Sequence, residues 1–229
     1  MGTSSSLFSL TVGRKILMGL TGLFLVSFLF VHLAGNFALY SNDGGEAFNL
    51  YSRFMSTNVI IRIFEIVLVA GFLGHIYLSV ILTRRNKAAR PIGYQVNNVQ
   101  QTSSIYSRNM GITGTIILVF LIIHLKTFWY EYKFGEVEMA NYDGVELKDM
   151  YLMVKVAFQE WWYSALYVVA MILLGAHLNH GFQSAFKSLG LSNKKYGPAI
   201  STIGTALAIV FAAGFASFPI LFYFGCVGN

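Results

Sequence analysis

The sequence predicts an all-α membrane protein, one bundle of five transmembrane helices. Three observations carry this. Of 229 residues, 55% are hydrophobic and only 11% charged, against about 25% charged in a soluble domain; the mean hydropathy is +0.60. Five uncharged or nearly uncharged runs are each longer than the ~20 residues a helix needs to cross a bilayer. Four of them hold all five histidines, at His32, His75, His124, His177 and His180. An ionisable side chain at membrane depth is costly, so it faces the protein interior and has a task. Residues 1–229 are read as a single domain, with spans at about 14–40, 59–83, 108–130, 161–187 and 198–224.

Residues 1–12 are short, polar and Ser-rich. Their Met-Gly-Thr-Ser-Ser-Ser start fits the loose myristoylation pattern, but the adjoining span anchors the chain far better than a lipid would. Arg14 and Lys15 precede the first apolar run. It is too long for a signal peptide and no small-x-small cleavage site closes it, so it is expected to stay as an uncleaved helix carrying His32. Residues 41–58 are expected to form a loop, since Asn42–Gly45 (Asn-Asp-Gly-Gly) is strong turn chemistry. The second span carries Glu65 and His75, and Arg84, Arg85, Lys87 and Arg90 end it, with Pro91 as a breaker beyond. A polar link, 92–107, leads to the third span with His124 near its far end. Residues 131–150 are the most acidic stretch. The fourth span is charge-free from Trp161 to Phe186 and carries His177 and His180; after a short basic link the fifth carries no histidine. No repeat, heptad or low-complexity tract is evident.

The net charge of +6 and isoelectric point near 9.4 would suit nucleic acid. The basic residues, however, sit in links between spans, where membrane topology accounts for them, and nucleic acid is not an expected partner. The first, third and fifth links in space (N-terminus, 84–108 and 187–195) hold ten Lys and Arg, the other side six, and every acid but Glu65 lies on that other side. The ten-charge side is therefore expected to be cytoplasmic, with the N-terminus inside. One cysteine, Cys226, excludes an intrachain disulfide, and without C-x-x-C-H no haem would be covalently attached.

Depth sorts the histidines. His75 lies nine residues from Arg84 and His177 ten from Lys187; His32 lies seventeen from Lys15 and His124 sixteen from Arg108. At ~1.5 Å per residue these are depths of about 14–15 Å and 24–26 Å. Two tiers roughly 10 Å apart would suit two stacked haems, each iron held axially by two histidines: His75/His177 on the inner and His32/His124 on the outer. A lone membrane histidine can equally well just hydrogen-bond across helices; it is the pairing in depth on four helices that favours ligands. Gly71, one turn before His75, and Gly181, one turn after His177, offer flat slots for a macrocycle, or ordinary small-residue packing. His180 is the competitor to His177; it points about 60° away, lies nearer the cytoplasmic face, and would suit a haem propionate or a partner subunit.

In the stretches 13–36 (GRKILMGLTGLFLVSFLFVHLAGN), 90–97 (RPIGYQVN), 107–126 (SRNMGITGTIILVFLIIHLK) and 162–190 (WYSALYVVAMILLGAHLNHGFQSAFKSLG), and in the sequence in which they follow one another, the chain resembles the cytochrome b membrane anchor of succinate dehydrogenase and fumarate reductase, of the single-subunit, five-helix, two-haem kind. The resemblance covers nearly the whole chain except 131–150. Its fourth-helix pattern, His-x-x-x-Gly with a later Gly, falls on His177, Gly181 and Gly190. It implies two haem b, four haem-binding helices plus a fifth, and a membrane quinone, menaquinone being the expected type. It also implies a flavoprotein and an iron–sulfur subunit docked on the cytoplasmic face of a bacterial inner membrane. Some similar proteins carry a glutamate two residues before the fourth-helix ligand; here that position is Gly175. The chain itself has no FAD glycine fingerprint and no cysteines for iron–sulfur clusters. A quinone site is expected near the outer pair, with Asp43 or Glu46 as proton carrier, although both also suit an ordinary turn. The alternatives are a di-haem anchor of a hydrogenase or formate dehydrogenase, and a transporter using its histidines for protons.

Overall fold

The computed structural model describes residues 10–89 and 105–227. The myristoylation pattern, Arg90, Pro91 and most of the polar link lie outside them. Five helices are long and apolar enough to cross a membrane, as the sequence predicts. They are α1 (Thr11–Asn36, prolonged by a 3-10 turn, Phe37–Tyr40), α3 (Val59–Ala88), α5 (Met110–His124), α8 (Trp161–Ser188) and α9 (Gly197–Tyr223). A short α4 (Ile105–Arg108) precedes α5. A π-helical stretch, Leu125–Tyr130, and a short α6 (Glu131–Phe134) continue it.

Local chemistry explains the ends. Asn58 caps α3, its side-chain oxygen accepting from the N–H groups of Ile60 (2.9 Å) and Ile61 (3.3 Å). The basic cluster does not stop α3 at 83: Arg85 and Lys87 form its last turn, where cations suit the helix dipole. Pro198 opens α9 in its first turn. α8 closes on Gly190 at φ +74°, with Gly190 N–H on Lys187 O (3.1 Å) and Leu191 N–H on Phe186 O (3.0 Å), the pair of bonds that defines a Schellman cap.

α8 is the hub of the bundle; it packs along α9 and touches α1 and α5, while α3 lies on α1. The core runs along α8 through Tyr163, Tyr167, Ala170 and Met171 and along α9 through Phe211, Phe215 and Phe218. Close approach depends on small residues, because lipid tails give apolar helices no solvent reason to associate. A Cβ at Gly175 would stand 3.0 Å from Ala212 Cβ and 3.2 Å from Ala208 O. A glutamate at this position would have no space in this chain. α3 and α5 bury no residue, and between their charged ends the large side chains they expose are apolar or aromatic, among them Ile63, Phe64, Leu73, Tyr77, Ile112 and Val119, the outward face expected against hydrocarbon.

Between the spans lies a cap that the sequence reading missed. The expected loop 41–58 contains α2 (Glu46–Thr57): the turn occupies only Asn42–Gly45, and Phe48, Tyr51 and Met55 then recur at helical spacing. The acidic stretch contains a hairpin of β1 (Met139–Tyr142) and β2 (Val145–Lys148), in register Tyr142↔Val145 to Met139↔Lys148. Its two loop residues, Asp143 (φ 49°) and Gly144 (φ 89°), are the Asp-Gly pair that a type I′ turn favours. α7 (Met150–Gln159) follows, capped by Asp149. Asn49, fully buried, ties these pieces together. Its Nδ2 donates to the Tyr142 hydroxyl and to Asp149 Oδ1 (each 2.9 Å), and its Oδ1 accepts from Tyr151 N–H (2.9 Å). Burial, then Asp149 and the other nearby acids, push the Tyr142 hydroxyl above its ordinary value; it stays protonated and donates to Gly44 O (3.3 Å).

Asn49→Ala removes three hydrogen bonds and leaves a buried backbone N–H unpaired, a loss of about 2–4 kcal/mol. Hydrogen exchange of the 139–148 hairpin should accelerate in this variant while the cores of α8 and α9 stay protected.

Candidate functional site between the spans

His32 sits near the cap end of α1, and His124 is the last residue of α5 before the π-helical stretch. Their ring centroids are 5.8 Å apart, with planes at 82°. Two imidazoles sharing one metal ion through bonds of about 2 Å have centroids about 6 Å apart, so the separation fits a common axial pair. Phe28 stacks on His32 (5.2 Å) and Phe120 on His124 (5.8 Å), walling the pair with apolar rings. His124 Nδ1 is 2.9 Å from the hydroxyl of Tyr167, which is 3.1 Å from that of Tyr163. Occupying Nδ1 leaves Nε2 as the nitrogen available to a metal, the usual division of labour in a ligating histidine.

His75 and His177 occupy the other level, nearer the basic end, and lie within electrostatic reach of each other. His75 Nδ1 is 3.2 Å from Thr21 Oγ1. His177 Nδ1 is buried and has no hydrogen-bond partner. Each ring lies against a glycine of a neighbouring helix. A Cβ at Gly22 would stand 3.3 Å from His75 Cε1, and one at Gly114 3.4 Å from His177 Cε1. Gly71 and Gly181, the glycines singled out from sequence, are placed differently. The space beside Gly71 is filled by the ring of Phe24, at 2.8 Å from a Cβ, which is ordinary helix packing. Gly181 meets only Met110 Cε at 3.9 Å and stays open. His180 is half-buried one turn on, within reach of both His177 and Lys187.

The structure thus brings His32 to His124 and His75 toward His177, each pair drawn from two helices. Among the described residues no group of three or more His, Cys, Asp or Glu converges, so the available donor sets are pairs. A bis-imidazole pair inside an apolar bundle suits an octahedral metal whose other four positions a macrocycle fills. Sequence reasoning missed Gly22, Gly114, Thr21 and Tyr167. The signal for the glycines is that each stands ten residues before a histidine on its own helix. Tyr167 has no such signal, because its meeting with His124 depends on how α5 and α8 cross.

The acids of the cap end behave differently from one another. Both oxygens of Asp43 are taken by backbone, accepting from Gly45 N–H and Ala47 N–H (each 3.0 Å), so its first task is the turn. Glu46 opens α2, half-buried. Glu65, in the second turn of α3, accepts from Trp129 Nε1 (2.5 Å) and pairs with Arg62 (3.0 Å) and with Lys133. Lys133 also lies 4.4 Å over the Trp129 ring. These residues, with Ile66 and Val69, line a groove of about 370 Å³. No protein-family model, curated protein or solved structure matches the chain.

Glu65→Gln keeps the shape but removes the charge that Lys133 and Arg62 face, and should cost about 1–3 kcal/mol. A thermal-unfolding cycle with Lys133→Met should show coupling: the double variant loses less than the two single losses combined.

Proposed function

We propose that the chain is the membrane-anchoring di-haem cytochrome b subunit of a succinate:quinone oxidoreductase, passing electrons between an iron–sulfur subunit and membrane quinone. The observation that carries this reading is the pairing of four histidines from four spans at two levels, with His32 and His124 5.8 Å apart. The resemblance in residues 13–36, 107–126 and 162–190 names the oxidoreductase.

In this reading His75 and His177 hold one haem b and His32 and His124 the other. Each bound iron supplies a one-electron ferric/ferrous couple. The protein's contribution is ligation, orientation and exclusion of water. Phe28, Phe120 and Phe215, the last 5.5 Å from the His32 ring, keep the His32/His124 pair dry, and Tyr167 holds the His124 ring. The basic ends of α3 and α8, with Arg84, Arg85, Lys87 and Lys187, are the docking side for the iron–sulfur and flavoprotein subunits, taken as the cytoplasmic face of a bacterial inner membrane with the N-terminus inside.

Quinone chemistry belongs at the cap end, beside the His32/His124 pair, with menaquinone the expected type. Quinone reduction takes up two protons, and a carboxylate at the membrane edge can exchange them with water. Three acids are available: Glu46 and Asp43, as expected from sequence, and Glu65, whose apolar groove opens on the lipid-facing flank of α3.

The test is a reduced-minus-oxidised visible spectrum of the purified protein, which should show b-type bands from two haems. His75→Ala and His32→Ala should each remove one haem and spare the other; a wild-type protein without b-type bands rejects the reading. Co-purification with a flavoprotein separates it from a hydrogenase or formate dehydrogenase anchor. With both haems retained, Asp43→Asn/Glu46→Gln and Glu65→Gln should divide the proton-carrying role: the set that slows quinone turnover about tenfold or more contains the carrier.

A further inference from the structure

Two of the spans are copies of one pattern, although no repeat is evident on first inspection. Residues 18–33 (MGLTGLFLVSFLFVHL) and 110–125 (MGITGTIILVFLIIHL) match without a gap, sharing eight of sixteen residues: Met, Gly, Thr, Gly, Phe, Leu, His and Leu. The matching positions do the same things in space. Phe28 stacks on His32 as Phe120 stacks on His124. Gly22 receives the His75 ring at 3.3 and 3.8 Å from its would-be Cβ, and Gly114 receives the His177 ring at 3.4 and 3.9 Å, through the same two atoms, Cε1 and Nδ1. Thr21 Oγ1 bonds back to Leu17 O (3.0 Å) and Met18 O (3.1 Å), and Thr113 Oγ1 to the equivalent Asn109 O (3.1 Å) and Met110 O (3.2 Å). The hairpin of α1 and α3 and the pair α5 and α8 are therefore two editions of one ligand-holding unit.

One correspondence is incomplete. Thr21 Oγ1 meets His75 Nδ1 at 3.2 Å, whereas the matching nitrogen, His177 Nδ1, is the one buried side-chain polar atom without a partner among the described residues. A buried donor left unpaired forfeits its solvation without compensation, and Thr113 stands beside Gly114, against which that ring lies.

We infer that Thr21 and Thr113 are equivalent positioning residues, each accepting a hydrogen bond from the Nδ1–H of a histidine on the neighbouring helix, His75 and His177 respectively. The chemistry follows from the hydroxyl. A threonine has one proton to give, and each of these gives it to a carbonyl of its own helix turn. What it turns toward the imidazole is a lone pair, so Nδ1 must carry the hydrogen and Nε2 keeps its lone pair for a metal. An acceptor on Nδ1–H also raises the basicity of the ligating nitrogen, which favours the ferric state and lowers the potential of that haem.

This inference rests on the reading that His75 and His177 hold a haem, and the experiment separates the two. The wild-type complex and its Thr21→Val, Thr113→Val and doubly substituted forms are titrated potentiometrically in the b-type bands. The expected result is two one-electron waves in the wild type, of which the same one moves to higher potential in both single variants and further in the double, while the other stays. Thr113→Ser, which restores the hydroxyl, returns the wave to its wild-type position. A Thr113→Val complex with two haems and unmoved waves overturns the role of Thr113, as does movement of the other wave. If Thr113→Val loses the haem, retention in Thr113→Ser supports the hydroxyl's role and loss in both overturns it. A wild type with no haem rejects the function and this inference together, an outcome distinct from unmoved waves.

Discussion

An imidazole inside hydrocarbon needs a partner for each ring nitrogen, and much of this bundle follows from meeting that need. Inside a bilayer no water is at hand to serve, so partners must come from other helices. His124 finds Tyr167 on α8, His75 finds Thr21 on α1, and His177 Nδ1, buried without a partner, is the nitrogen assigned to Thr113. Each ring belongs to one helix and its support to another, so correct assembly of the bundle and a usable set of nitrogens are the same event. The helix that supports most of this is α8. It carries His177 and Tyr167 and buries Gly175 against α9, so its position sets both levels.

The duplicated pattern explains why the two levels resemble each other. A unit of sixteen residues supplies, from one helix, a histidine for one level and a glycine–threonine cradle for a neighbour's histidine at the other. Ten residues separate glycine from histidine along the helix, about 15 Å at ~1.5 Å per residue. α1 and α5 thus act as two-ended brackets, while α3 and α8 each insert one ring between glycine and partner. The two copies differ elsewhere, with Thr115 and Val119 at the positions of Leu23 and Ser27, while the shared contacts are kept.

Away from the spans, charge is used differently at the two ends. At the cap end two acids are absorbed by structure: Asp43 into the turn before α2, Asp149 into the α7 cap and the Asn49 knot. Glu65, within the second turn of α3, is instead held by two cations and an indole. At the other end the cations are gathered with no acid among them in sequence, which leaves that face positive and suited to an acidic partner or to anionic headgroups.

How much of this the sequence carried depends on the range of the interaction. The five spans were legible because crossing a membrane is a local requirement: enough apolar residues in a row, with charges at the ends. The two levels of histidine were legible too, since depth along a straight helix is a count of residues. α2 and the hairpin were legible in principle, from Phe48, Tyr51 and Met55 at helical spacing and from Asp143-Gly144 as a turn pair; the stronger turn and charge signals around them masked both. Tertiary structure alone decided that Tyr167 meets His124, that the rings of His75 and His177 rest on Gly22 and Gly114 rather than beside Gly71 and Gly181, and that Glu65 joins Trp129 and Lys133 from another span. These depend on how far each helix is rotated and where it crosses its neighbour. In a bilayer those choices are made by small residues and side-chain packing between helices, and no single span contains that information.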